Sequence, residues 1–222
     1  MSTRNESSAE QTEVSEVLAK VGAVASTGMR PQVEELHTSD PERIHALAHP
    51  LRLKLIDLIQ DRGEVTASEA AEHLGQTVAN CSFHLRVLEK AGFVERAEPR
   101  GREKPWRSSS KRRRLEPDLE SRASVLALTE LVGVTLTHIG ARFTDYVREH
   151  LPKDDPAWRE LTLLDQASVW VTAEEAEQIA ERIVEATAPF RERRYDPSLR
   201  PEGARIVRLT SILHPDPPQP AE

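Results

Sequence analysis

The chain has one cysteine, Cys81, in 222 residues. One thiol excludes an intrachain disulfide framework and fits a reducing cytoplasm, where we expect the protein to reside. Aromatic residues make up only 4% of the chain, so any core must be largely aliphatic. No uninterrupted apolar run approaches the roughly 18 residues of a bilayer span, so no membrane is expected as a partner. Met1 to Gln11 is polar and acidic, without the apolar stretch of a secretory signal. The sequence also lacks a glycine-rich phosphate loop, a nucleophile elbow and a spaced pair of catalytic carboxylates, so no enzyme is expected. His45, His49, His73 and His84 fall on separate segments, whereas zinc needs three or four convergent ligands. Neither a metal nor a cofactor is expected.

Net charge is −7, which taken alone disfavours nucleic acid. Its distribution reverses that inference. Residues 42–114 carry 15 basic and 10 acidic side chains, a net of +5, between flanks of −4 and −8. A basic module between acidic flanks is the charge pattern of a nucleic-acid binder.

Residues 1–38 are rich in Ser, Glu, Thr and Ala and read as a disordered acidic tail. Asp40-Pro41 is a cap followed by proline at the first helical position, opening a helix through Ile44, Leu47 and Ala48. His49-Pro50 interrupts it, and a second helix runs from Leu51 to Gln60. Glu64-Val65 is a strand stub. Ser68 is expected to cap a third helix ending at Gly75. Phe93 to Ala97 and Pro105 to Ser109 alternate as the strands of a hairpin around the charged turn Pro99 to Lys104. The run Lys111-Arg112-Arg113-Arg114 reads either as additional phosphate contacts or as a solvated linker.

From Leu119 to His150 the pattern is one long helix. Val125, Leu128, Val132, Leu136, Ile139, Phe143 and Val147 recur at three- and four-residue steps, and Gly133 and Gly140 leave room for a close neighbour. At about 45 Å it is too long for a small domain to cover, which points to a second chain. Beyond Pro152–Pro156 we expect a strand or an extended turn at Leu161 to Val171, a helix capped by Thr172 with Glu175, and strand character from Ala204 to Leu213. Trp158 and Trp170 are candidates for a ligand pocket there, or for ordinary core residues.

Gly75 to Leu88 carries the most information. Val78, Cys81, Leu85 and Leu88 share an apolar face, and Thr77 is placed to cap the first turn. Thr77, Asn80, Ser82, Phe83, His84 and Arg86 are the candidates for facing DNA. Asn matches adenine edges, Arg guanine, and Phe83 thymine methyl groups, with Ser82 and His84 on phosphates. Arg100, Arg102, Lys104 and Arg107 at the hairpin would lie along a minor groove or the backbone. The competing readings are a solvated polar helix face and an ordinary charged hairpin. Cys81, on the apolar stripe, reads as a small core residue.

Three segments carry a resemblance: Ala46 to Leu53, Ala67 to Ala71, and Ser82 to Val94. Together, at this spacing, they resemble the ArsR-like family of bacterial transcription regulators over about residues 40–110. The resemblance implies a winged helix-turn-helix, DNA binding and repression. The family's paired-cysteine metal motif is absent from Ser68 to Leu74, and His138, Asp145 and His150 do not show its other metal spacing, so metal sensing does not carry over.

The expected architecture is mainly α with small β. It comprises a winged helix-turn-helix DNA-binding domain (39–114), a long dimerisation helix (115–151), a small α+β C-terminal region (152–214) for dimerisation and effector binding, and a disordered tail (215–222). The expected function is a homodimeric, sequence-specific DNA-binding regulator that represses transcription. Its partners would be double-stranded DNA, a second copy, and a small-molecule or protein effector at the C-terminal region. The alternative is a winged-helix protein-interaction module or ligand-binding adaptor without DNA readout.

Overall fold

The computed structural model describes residues 35–217 apart from 102, 111, 116 and 163. Residues 1–34 of the tail expected over 1–38, and the last residues of the expected C-terminal tail, lie outside them. The described residues fall into two compact units, 35–168 and 169–217.

In the larger unit, β1 (Glu35–Thr38) leads into α1 (Pro41–His45), whose first turn is capped by Asp40 Oδ1 accepting from Glu42 N at 2.9 Å. Leu47 and Ala48 are buried in the turn after α1 rather than on it. α2 (Pro50–Arg62) places Leu51, Leu55, Ile56, Leu58 and Ile59 in the core. Next come β2 (Glu64–Val65), α3 (Ala67–Leu74), α4 (Val78–Lys90), β3 (Val94–Arg96) and β4 (Trp106–Ser108). The three strands form an antiparallel sheet in the order β2-β4-β3. Phe93, Ile44, Leu55, Ile59, Leu85 and Leu88 are fully buried between helices and sheet. Each such side chain contributes about 1.5–3 kcal/mol of burial.

Two expectations at the module's edges are corrected. Thr38 is buried, and residues 35–38 form a strand rather than the end of a tail. Of the run Lys111 to Arg114, expected as phosphate contacts or a solvated linker, Arg112 to Arg114 belong to no linker: they lie in β5 (Arg112–Leu115), which pairs in parallel with β1 from Glu35↔Arg112 to Thr38↔Leu115. A backbone run flanked by an unpaired strand gains ladder hydrogen bonds whatever its side-chain charge.

α5 (Arg122–Asp145) continues through a π turn, Tyr146–His150. It packs on α1 and α2 through Ser124, Ala127 and Leu131, all buried. Three polar contacts fasten it: His45 Nδ1 to Glu130 Oε2 at 2.9 Å, and Asp57 Oδ2 to both His138 Nε2 (2.8 Å) and Arg142 Nη1. The predicted apolar stripe is not what it buries. Val132 and Leu136 are 47% and 44% exposed, and a Cβ at Gly133 or Gly140 would meet open space. Arg122–Lys153 is also long and apolar enough, by length and composition alone, to cross a membrane, although charged residues such as Glu130 and Arg142 interrupt it and no uninterrupted apolar run reaches that length.

The smaller unit contains α7 (Ala173–Thr187); a single-turn α6 (Pro156–Arg159) lies earlier, in the larger unit. The capping box of Thr172 and Glu175 is formed. No strand forms among the described residues at Leu161 to Val171, read as a strand or an extended turn, or at Ala204 to Leu213, so this region is α rather than α+β. Trp170 is 97% exposed, which removes it from any pocket wall.

Candidate nucleic-acid interface

α3 and α4 are joined by a three-residue turn, Gly75 to Thr77, that the sequence sets at both ends. Gly75 takes the left-handed conformation (φ 61°), where a side chain would be strained, and its N–H bonds back to Ala71 O. Thr77 Oγ1 then accepts from Asn80 N at 3.2 Å, opening α4. The cap of α3 is Thr66, not Ser68: Thr66 Oγ1 accepts from Glu69 N at 3.2 Å and Glu69 Oε2 from Thr66 N at 2.7 Å. That backbone N–H, first among several contacts, holds the Glu69 carboxyl below the ordinary carboxylate range. Ser68 Oγ instead donates to Glu103 Oε1 at the hairpin, 2.7 Å away.

α4 buries Cys81, His84, Leu85 and Leu88 and turns its other side to solvent. Burial pushes the Cys81 thiol up, away from the reactive thiolate. Thr77, Phe83 and Arg86 are exposed, Phe83 at 58%; Asn80 and Ser82 are half-buried. Asn80 Nδ2 donates to Gln76 Oε1 at 3.0 Å, so the turn residue Gln76 joins the face although sequence reasoning omitted it. Arg86 Nε donates to Ser82 O at 3.1 Å, laying the guanidinium along the helix. Val78 leaves the expected apolar stripe and is 49% exposed, because the first turn of α4 projects beyond the core.

His84 is corrected most sharply. Expected among the outward residues, it is 7% exposed and lies against His49, with ring centroids 4.3 Å apart. It stands three residues after Cys81 and four before Leu88, which is the buried register of α4; the same periodicity could have placed it.

The hairpin brings its cations close to α3, several of them paired. Arg100 reaches Glu69 at 3.6 Å and Glu64 at 3.9 Å, and Arg107 Nε donates to Glu95 at 2.8 Å. Arg96, which sequence reasoning passed over, stacks on Trp106 at 3.3 Å from the ring centroid and donates to Lys104 O at 2.9 Å. That stack stiffens the hairpin's root. Lys104 is exposed, and Arg102 lies outside the described residues. These exposed pairs are weak enough to be exchanged for phosphate contacts.

Among the described residues no three His, Cys, Asp or Glu side chains are grouped to hold a metal ion.

Residues 47–97 match a family described as a helix-turn-helix domain. Over 76 residues, 34% of this chain, the sequence is 38% identical to a probable mercury resistance operon repressor of Streptomyces lividans. That match spans 60% of the relative's length. The matched segment contains α3, the Gly75 turn and α4, so the likeness falls on the elements that form the exposed face.

Proposed function

We propose that this protein is a DNA-binding transcriptional regulator that acts as a homodimeric winged helix-turn-helix repressor. The observation that carries the reading is the outward face of α4: Thr77, Asn80, Ser82, Phe83 and Arg86 stand on a helix whose other side is anchored by fully buried Cys81, Leu85 and Leu88. A rigid helix presenting an amide, hydroxyls, a guanidinium and an apolar ring has the groups that read major-groove edges. The hairpin with Arg100, Arg102, Lys104 and Arg107 serves as the wing on the backbone. The helix-turn-helix match and the repressor relative support the same class.

Dimerisation falls to α5, whose exposed Val125, Leu126, Val132 and Leu136 match the requirement for a second copy. Two-fold symmetry would set two α4 helices about 34 Å apart on successive major grooves. The acidic C-terminal region is the place for an effector, kept off the duplex by its charge. The relative's link to mercury is not extended to this chain, whose one thiol is fully buried.

The test is binding of duplex DNA by fluorescence anisotropy across a salt series, followed by selection of bound sites from genomic fragments. Affinity should fall steeply with salt and drop at least tenfold, roughly, in an Arg86→Ala plus Lys104→Ala variant. Unchanged binding in that variant would refute the site; selected sites without two-fold symmetry would refute the dimer.

A further inference from the structure

Beneath α4, away from its outward face, three cation-forming groups converge. His49 stands at the N-terminus of α2, and its Nδ1 accepts from Leu51 N at 3.1 Å. His84 of α4 packs on it at 4.3 Å between ring centroids, and the Phe83 ring meets His84 edge-on at 5.1 Å. Arg52, one turn along α2 from His49, is the third. His84 Nδ1 and Arg52 Nε are both buried with no hydrogen-bond partner among the described residues.

Glu130 of α5 acts on Arg52 and is engaged by His45 of α1 at 2.9 Å. Arg52 Nη2 points the same way, toward His45 O at 3.4 Å. No carboxylate among the described residues pairs with either imidazole of the stack. The groups facing His84 are thus His49 and Arg52 from α2, and those facing His49 are His84 and Arg52.

We infer that His49 and His84 form an acid-triggered release under the recognition helix, which keeps α4 seated only while both imidazoles are neutral. An imidazolium has two N–H donors and no acceptor, so protonated His49 cannot cap α2. A protonated His84 would be a buried cation beside Arg52 with nothing to accept its proton. Burial first and the Arg52 charge second hold His49 below the ordinary imidazole value of 6.5, and burial first, then the charges of His49 and Arg52, hold His84 below it. The sign follows: depressed folded values mean that the unfolded chain takes up protons first. Stability is therefore full above about 6.5 and is lost as pH falls below it.

The link to DNA rests on the function proposed above, whereas the titration does not. NMR of the full chain with labelled histidines gives each midpoint. Midpoints for His49 and His84 below the ordinary imidazole value of about 6.5 are expected; midpoints at or above it would overturn the inference. Thermal unfolding between pH 8 and 5 should show a fall in Tm that flattens in a His49→Asn plus His84→Phe variant, Asn retaining a capping acceptor. An equal fall in both proteins would also overturn it. With a random-sequence duplex as probe, binding by wild type relative to the variant should weaken roughly tenfold from pH 7.5 to 5.5. If neither binds duplex at pH 7.5, the DNA reading fails while the midpoints still decide this one.

Discussion

Replacing Gly92 by alanine tests how α4 is stopped. Gly92 has φ 77° and follows the last residue of the helix cap, Ala91. Phe93 N bonds back to Leu88 O at 2.9 Å, and Ser109 Oγ donates to Gly92 O, which locks the turn. A side chain in this left-handed region costs about 1–2 kcal/mol. A Cβ here would also stand 2.7 Å from Arg43 Nη2, too close for any real contact. Arg43 must then shift and loosen its Nε bond to Ala91 O, now 2.9 Å. Losing a partly buried, charge-assisted bond adds about 1 kcal/mol, so the total is about 2–3 kcal/mol. Gly75→Ala is the internal control: its φ is 61° but nothing lies within 4 Å of the added atom, so only the backbone strain remains. Urea unfolding followed by circular dichroism should place Gly92→Ala about 1 kcal/mol below Gly75→Ala. In an Arg43→Ala background that gap should close. Equal destabilisation by the two glycine variants, or a gap that survives without Arg43, refutes the reasoning.

Three further outcomes are expected. Val132→Asp plus Leu136→Asp puts charge on the exposed stripe of α5, and light scattering should shift the protein from dimer to monomer with its helical content kept. Thr66→Ala removes one half of the capping box of α3 and should lower stability by about 1 kcal/mol in urea titrations, while Ser68→Ala should change it by less than about 0.5 kcal/mol. Phe83→Ala removes an exposed ring, so Tm should hold within about 2 °C while duplex affinity, read by anisotropy, falls roughly tenfold.

Local chemistry was readable wherever one residue decides the backbone. Asp40-Pro41, Gly75, Thr77 and the Thr172–Glu175 box all take the conformations their types dictate. Ser68 misled because a good capping residue stood two places inside the true start; Thr66 followed three residues later by Glu69 was the stronger signal. His84 misled by chemistry: imidazole suggests phosphate, yet its register is that of Cys81 and Leu88. The α5 stripe is apolar, but the helix turns Ser124, Ala127 and Leu131 toward α1 and α2 instead, a face where two small residues permit close approach. Ile206, Val207, Leu209, Ile212 and Leu213 have strand-forming side chains, and all are more than half exposed. Strand propensity expresses itself only when a neighbouring strand accepts the hydrogen bonds, and none among the described residues does.

The parallel pair β1–β5 sets an order of assembly. Glu35 and Arg112 are 77 positions apart, and everything between them is helix-turn-helix and hairpin. Closing so long a loop costs about 4 kcal/mol in chain entropy, which four residue pairs cannot repay by themselves. The two strands therefore zip only after the intervening core has formed and has brought their ends together. Ser124 Oγ, reaching Ser39 O at 3.4 Å, ties the root of α5 to the same junction. During synthesis α5 follows all of these elements, so it can be seated only on a module that is already finished.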